Sequence, residues 1–278
     1  AGKLYTVAYG NPCALHIDPI EKKPLNHFLS GSLILSIATA GCNLRCLYCQ
    51  NWEISQARPE DTNNSDLFPE VLLHHTLEQR IPAIAYTYSE PVVFYEYVYD
   101  TAKLAKAAGV RNVLVTAAYI EPKPLRKLCQ VIDAANVDLK NFDNDFYRKV
   151  CRGTLKPVLE AIKIMRKEGV WVEITNLVVP TLSDSLEKIK RMCEWIVSEL
   201  GADLPLHFSR FHPLYKLKAL PPTPLEILLS AREIALQNGL HYVYIGNVPG
   251  SGYQNTICPS CKQIVIAREG YAVLYNLL

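Results

Sequence analysis

The strongest constraint on the fold is a rhythm. After residue 30, short runs rich in β-branched and small apolar residues alternate with amphipathic stretches of helical spacing. Strands are expected at 33–38, 82–87, 112–116, 135–139, 170–178, 205–209 and 241–246. Helices are expected near 68–79, 92–108, 122–132, 156–168, 184–199 and 224–238. Gly109 and Gly169 sit just past helical stretches, where a left-handed residue is wanted, and Asp184 and Thr223 are suitable N-caps. Apolar strands joined by helices imply an α/β fold with a parallel sheet. Six or seven such units suffice for a partial or near-closed parallel (β/α) barrel, with a flat doubly wound sheet as the competing architecture.

The two ends fall outside this rhythm. The expected organisation is an N-terminal extension over 1–30, the barrel over 31–250 and a C-terminal segment over 251–278. In that last segment Ile264-Val265-Ile266 and Tyr271-Ala272-Val273 flank Glu269-Gly270 as a hairpin, just after Cys258-Pro259-Ser260-Cys261.

Composition narrows the function classes. The 278 residues are 49% hydrophobic with a net charge of +2, which excludes disorder and gives no broad footprint for nucleic acid. The longest apolar run, near Leu33 to Ala40, falls far short of the ~20 residues of a membrane helix. The opening Ala1-Gly2-Lys3 has no apolar signal region behind it, so a cytoplasmic location is expected. Nine cysteines, an odd count in a chain with a sizeable core, argue against a disulfide framework. Cys129, Cys151 and Cys193 read as buried apolar fillers.

Three other cysteines carry a chemical signal. Cys42, Cys46 and Cys49 lie within Gly41-Cys42-Asn43-Leu44-Arg45-Cys46-Leu47-Tyr48-Cys49, directly after the first expected strand. Three thiolates on one loop can converge on one metal centre. Structural zinc and electron-transfer iron–sulfur sites take four ligands, so three leave a coordination position open for chemistry. A zinc knuckle completed by a distant Cys or His, or a chance cluster, is the alternative.

The spacing C-x₃-C-x₂-C, with an aromatic residue before the last cysteine, resembles the signature of the radical S-adenosylmethionine (SAM) superfamily. The stretch that runs from Asp18–Leu25 to Cys49–Gln56 narrows the resemblance to the AmmeMemoRadiSam-system enzymes, relatives of the pyruvate formate-lyase activating enzymes. So do Tyr86-Thr87-Tyr88-Ser89-Glu90-Pro91, His207-Phe208-Ser209-Arg210-Phe211-His212-Pro213 and Tyr244-Ile245-Gly246-Asn247-Val248-Pro249-Gly250. The resemblance implies that the three thiolates bind three irons of a [4Fe–4S] cluster whose fourth iron chelates SAM. Reductive cleavage then yields a deoxyadenosyl radical that abstracts a hydrogen atom from a substrate.

It also implies site roles. Tyr48 would lie near the adenine. Ser89 and Glu90 stand where the superfamily binds the SAM amino group. Lys140 would meet the SAM carboxylate, with Asp138 orienting it or holding a ribose hydroxyl. His207 resembles a histidine that approaches SAM, and Thr116 would supply one hydroxyl. All of these, with Glu173, Thr175, Asn176, Arg210 and Asn247, fall on or just after expected strands, where barrel enzymes gather their sites. The plainer readings are a helix N-terminal carboxylate for Glu90, a strand-end ion pair for Lys140 and Asp138, and a core histidine for His207. His212 reads as structural or substrate-side. Where relatives often have Thr-Asn-Gly-Tyr, this chain has Thr116-Ala117-Ala118-Tyr119, losing one polar contact and one flexible position.

Cys258 and Cys261 resemble half of a zinc ribbon, with Cys13, His16 or His241 as candidate partners, or an unmetallated thiol pair. An N-terminally shortened or atypical member of the family is expected. An external electron donor such as ferredoxin or flavodoxin is implied, and Memo-like and AMMECR-type proteins are candidate partners. The target is an unidentified substrate. The alternatives are activation of a glycyl-radical partner protein, which needs an open groove, and a non-catalytic metal-binding scaffold.

Overall fold

Eight strands pair in strict chain order, β1 to β8, into one sheet in the computed structural model. The structure describes residue 2, residues 5–250 and residues 252–278. The strands are β1 (Ala14–Pro19), β2 (Leu33–Ala38), β3 (Ala83–Tyr86), β4 (Arg111–Thr116), β5 (Ala134–Asp138), β6 (Trp171–Val178), β7 (Leu206–Arg210) and β8 (Val243–Gly246). Strands β2 to β8 are parallel, whereas β1 runs antiparallel to β2. The order never reverses, which excludes the doubly wound sheet. Among the described residues β1 and β8 pair with no further strand, so the barrel is partial. Residues 1–30, read from sequence as an extension, thus supply a strand of the main sheet.

The helices are α1 (Trp52–Ser55), α2 (Pro69–Glu78), α3 (Tyr95–Ala107), α4 (Pro122–Cys129), α5 (Asn144–Phe146), α6 (Leu155–Lys167), α7 (Leu186–Leu200) and α8 (Leu225–Gln237). The crossover helices pack by helical spacing. In α6, Val158, Ala161, Ile162 and Met165 are buried at i, i+3, i+4 and i+7. The fillers Cys129 and Cys193 lie in this outer core. Gly109 and Gly169 take the expected left-handed backbone, at φ +80° and +84°. Two caps differ from expectation. Ser185 caps α7 and accepts from the Lys188 amide, while Asp184 accepts from Thr181 one turn earlier. Thr223 is buried, bonding Val178 and Phe211, and Pro224 stands at the α8 N-cap.

The inside of the barrel is filled unusually. Bulky branched residues normally pack a barrel interior. Here the inward positions of β3 and β5 are Ala83, Ala85 and Ala134. A strap of chain between β1 and β2, residues 20–31, inserts Ile20 and Leu25 against these alanines, Ile34 and Val113. Small wall residues and a large inserted segment are two halves of one packing solution. A three-stranded sheet of β9 (Thr256–Ile257), β10 (Ile264–Glu269) and β11 (Ala272–Asn276) clamps the strap. From β10 the buried Arg268 donates to the carbonyl oxygen of Asn26 (2.5 Å) and the hydroxyl of Ser30 (2.8 Å).

Candidate active site

The cysteine loop leaves β2 through Gly41, whose φ of +106° suits glycine. Its shape is fixed by backbone bonds to a distant turn. Arg45 and Leu47 amides donate to the carbonyls of Cys151 (2.8 Å) and Val150 (3.0 Å). Those two residues end a single π-helical turn, Tyr147–Cys151, after which Arg152 turns left-handed at φ +61°. Gly153 then passes so close that a Cβ there would stand 2.8 Å from Leu44 of the loop. The Leu44 amide donates to Cys42 Sγ (3.4 Å), and Cys49 Sγ lies 3.1 Å from the Ser55 hydroxyl. Burial, then the Glu90 carboxylate, pushes the Cys42 thiol up to about 12. Left metal-free, such thiols stay protonated at neutral pH, and a bound cation displaces the protons.

Glu90 opens the loop after β3, but its carboxylate is turned into the protein. It accepts from the Thr116 hydroxyl (2.5 Å), the Ala117 amide (2.8 Å) and the Val92 amide (3.4 Å). Burial nonetheless raises its pKa. Thr116 also accepts from the Ala118 amide (2.8 Å), which fixes Ala118 at φ +52° where a glycine would be unstrained. One buried network therefore ties the β3 and β4 loops together, and Thr116 stands behind Glu90 within it. Thr116→Val keeps the shape but removes one of three donors from Glu90 and leaves the Ala118 amide without its acceptor. It should destabilise the protein by about 1–3 kcal/mol, read from urea denaturation.

Ser89 bonds the Thr39 carbonyl (2.7 Å) at the same rim. Across from it, Lys140 pairs with Asp138 (3.0 Å). Burial alone would lower the Lys140 pKa, yet Asp138 and the thiols of Cys46 and Cys151 raise it. Tyr48 is buried, its ring stacked on Phe146 and its hydroxyl 3.5 Å from Cys151 Sγ. Arg210 and Asn176 turn to structural carbonyls, of Thr223 and Leu139.

Lower in the barrel lies a group that sequence reasoning did not assemble. Glu173 is fully buried and accepts from His207 Nε2 (2.7 Å), the Asn26 amide (3.0 Å), the His27 amide (2.9 Å) and Trp171 Nε1 (3.2 Å). Burial works against its charge, but His207, His27 and the Asn26 amide outweigh it and lower its pKa. His207 stacks on Tyr244 at 5.0 Å. Asp18 at the end of β1 and Lys22 and Lys23 of the strap form a second group, and Tyr88 also bonds Asp18. The sequence signals were available: a glutamate at an inward strand position, and two lysines after a strand.

Members of the rim, of the Glu173 group (His207, Tyr244 and Asn26) and of the lysine pair line one cavity of about 470 Å³, whereas Glu173 and Asp18 stand behind its wall. Its wall includes Cys42, Cys46, Cys49 and Tyr48 on one side, and Ser89, Glu90, Asp138, Lys140 and His207 around it. Thr116 is not part of the wall. Three soft thiols on one loop fit an iron–sulfur cluster. The zinc expectation at Cys258 and Cys261 is not supported. Among the described residues no three His, Cys, Asp or Glu side chains stand close enough to share one metal ion, so Cys13, His16 and His241 do not complete a four-ligand site with Cys258 and Cys261. The three loop thiols likewise do not grip a single ion, and suit only a cluster whose irons take one thiolate each. Among the described residues, no helix is long and apolar enough to cross a membrane.

Comparison with known proteins gives this geometry a family. A family model described as the radical SAM superfamily matches residues 36–196. An uncharacterized protein of Methanocaldococcus jannaschii is 49% identical over 96% of this chain and 79% of its own. The pyruvate formate-lyase-activating enzyme of Clostridium pasteurianum is 27% identical over 64% of this chain and 76% of its own. In fold, a radical SAM methyltransferase from Sphaerobacter thermophilus aligns with a TM-score of 0.61 at 13% identity, covering 80% of this chain and 68% of that one. A domain of the Bacteroides vulgatus activating enzyme aligns at 0.52 and 16% identity, covering 59% of this chain and 98% of that one. With its cysteine loop at the rim of a partial barrel, this chain belongs to the radical SAM superfamily, as an enzyme homologous to the pyruvate formate-lyase activating enzymes.

Proposed function

We propose that Cys42, Cys46 and Cys49 each bind one iron of a [4Fe–4S] cluster, and that SAM sits beside it against Ser89, Asp138, Lys140 and His207. The observation that carries this reading is the convergence of three thiols and these polar side chains on one cavity. When bound, the pair supplies reductive C–S cleavage and hydrogen-atom abstraction from a substrate. Lys140, kept charged by Asp138, offers its ammonium to the SAM carboxylate. Glu90 shapes the amino-group subsite by fixing the β3 loop, and keeps free lone pairs for the ammonium. Thr116 acts through Glu90. Tyr48 presents a ring edge near the adenine, its hydroxyl being engaged behind.

The same reading takes residues 31–250 as the radical SAM barrel, to which the segments on either side add β1, the strap and the β9–β11 sheet, and includes a cytoplasmic location and electrons from a reduced ferredoxin or flavodoxin. It places the chain in the AmmeMemoRadiSam group, beside Memo-like and AMMECR-type proteins. A second reading, activation of a glycyl-radical protein, is favoured by the likeness to the Clostridium pasteurianum activating enzyme. Anaerobic reconstitution with iron and sulfide tests the first reading. About four irons per chain and dithionite-dependent release of 5′-deoxyadenosine are expected. A single zinc per chain with intact SAM would overturn it.

A further inference from the structure

Below the rim the cavity continues down to the strap, where Lys22, Lys23 and Tyr271 line it. The charges there do not balance. Asp18 serves both Lys22 (2.7 Å) and Lys23 (2.6 Å), one carboxylate for two ammonium groups. Of the neighbouring carboxylates, Glu21 meets Arg268 at 3.5 Å through Oε1 while its Oε2 has no partner, and Asp138 faces Lys140 at 3.0 Å. Glu173 is turned away, its oxygens taken by His207 (2.7 Å) and the Asn26 and His27 amides. Lys23 is almost fully buried, its ammonium 4.2 Å from the centre of the Tyr88 ring. Burial lowers its pKa to about 8, against the pull of Asp18, so a second anion at this end would be stabilised.

The strap also limits what fits. It is seated among the barrel alanines and held by Glu173 on one side and Arg268 on the other. The cavity therefore ends at a fixed floor. Its volume of about 470 Å³ lies low in the range of roughly 300–1,000 Å³ typical of small-molecule sites, and SAM must share it.

We infer that the strap end of this cavity is the enzyme's substrate site, and that it takes a small molecule whose carboxylate or phosphate is held by Lys22 and Lys23. The inference rests on the proposed radical SAM chemistry and names the substrate class for that site. A polypeptide loop would bring mainly uncharged backbone to this end and find its way closed by the strap residues Lys23, Pro24 and Asn26.

Matched aldehydes test it. An aldehyde condenses with a lysine amine, losing water, and cyanoborohydride then delivers hydride to leave a stable secondary amine. Anaerobically reconstituted protein is treated with limiting pyridoxal 5′-phosphate or with pyridoxal, then digested and read by mass spectrometry. Glyoxylate against acetaldehyde forms the carboxylate arm. With at least one anionic aldehyde, Lys22 or Lys23 should label roughly ten-fold faster than with its neutral partner, an advantage absent at the other lysines. Lys22→Gln, at a half-exposed position, should remove most of that advantage at Lys23. The arm that shows the effect identifies phosphate or carboxylate as the recognised group.

Equal rates in both pairs would overturn the inference and return the polypeptide substrate. So would an unchanged advantage at Lys23 in Lys22→Gln protein that keeps its wild-type circular dichroism. If that variant fails to fold, the wild-type ratios decide. Labelling needs no turnover, so loss of SAM cleavage sinks the cofactor reading alone.

Discussion

Cys46→Ala should leave a folded protein that neither holds a full cluster nor cleaves SAM. Iron content should drop from about four per chain toward background, and dithionite-dependent 5′-deoxyadenosine should fall below detection. The effect is expected to be this large because the other two thiols cannot cradle a cube alone. Cys46 is also buried beneath the rim, where water is a poor substitute ligand. Stability should change far less, since the loop is fixed by backbone bonds of Arg45 and Leu47 rather than by the thiol. Iron and SAM cleavage at wild-type levels in the variant would remove Cys46 from the cluster.

Glu173→Ala should produce the largest loss of stability. It leaves the Asn26 and His27 amides, Trp171 Nε1 and His207 without their acceptor in the barrel interior. Breaking a buried pair of this kind costs about 3–5 kcal/mol, measurable by urea denaturation. A loss below about 1 kcal/mol would mean that the strap is held elsewhere. The pH dependence has a definite sign. Glu173 has its folded pKa lowered from the ordinary 4.5, so its contribution is complete above that value and fades as pH falls through the lowered one. His27, lowered from 6.5 mainly by burial, favours unfolding once protonation of the unfolded chain begins below 6.5. Wild-type stability should therefore decline on acidification, first through His27 and then through Glu173. The second part should be missing in Glu173→Ala.

The rim was legible in the sequence because two independent patterns coincide there. The β/α rhythm puts strand ends at one face, and the cysteine spacing marks that face as chemical. Thr116 shows where this reading stops: its hydroxyl was assigned to the ligand, whereas the fold spends it on Glu90 and Ala118. The strap was opaque for a different reason. Its ties to Glu173 are backbone amides of Asn26 and His27, which any residue carries. Strand β1 hid by inversion. Its apolar Leu15 and Ile17 are exposed at 41% and 48%, while Asp18 is buried at 5%, so hydrophobic alternation points the wrong way. The alanines of β3 and β5 read as ordinary strand residues until their missing volume is compared with what Ile20 and Leu25 supply.

The strap sets an order on folding. Asn26 joins Glu173 across 147 positions and Arg268 across 242. During synthesis this plug is made before the parallel strands it fills, yet its latch, β10, is made after them. Closing loops of that length is entropically slow and is rewarded only late. Refolding should accordingly end in a slow phase in which the strap and the β9–β11 sheet dock together, after most of the barrel has formed.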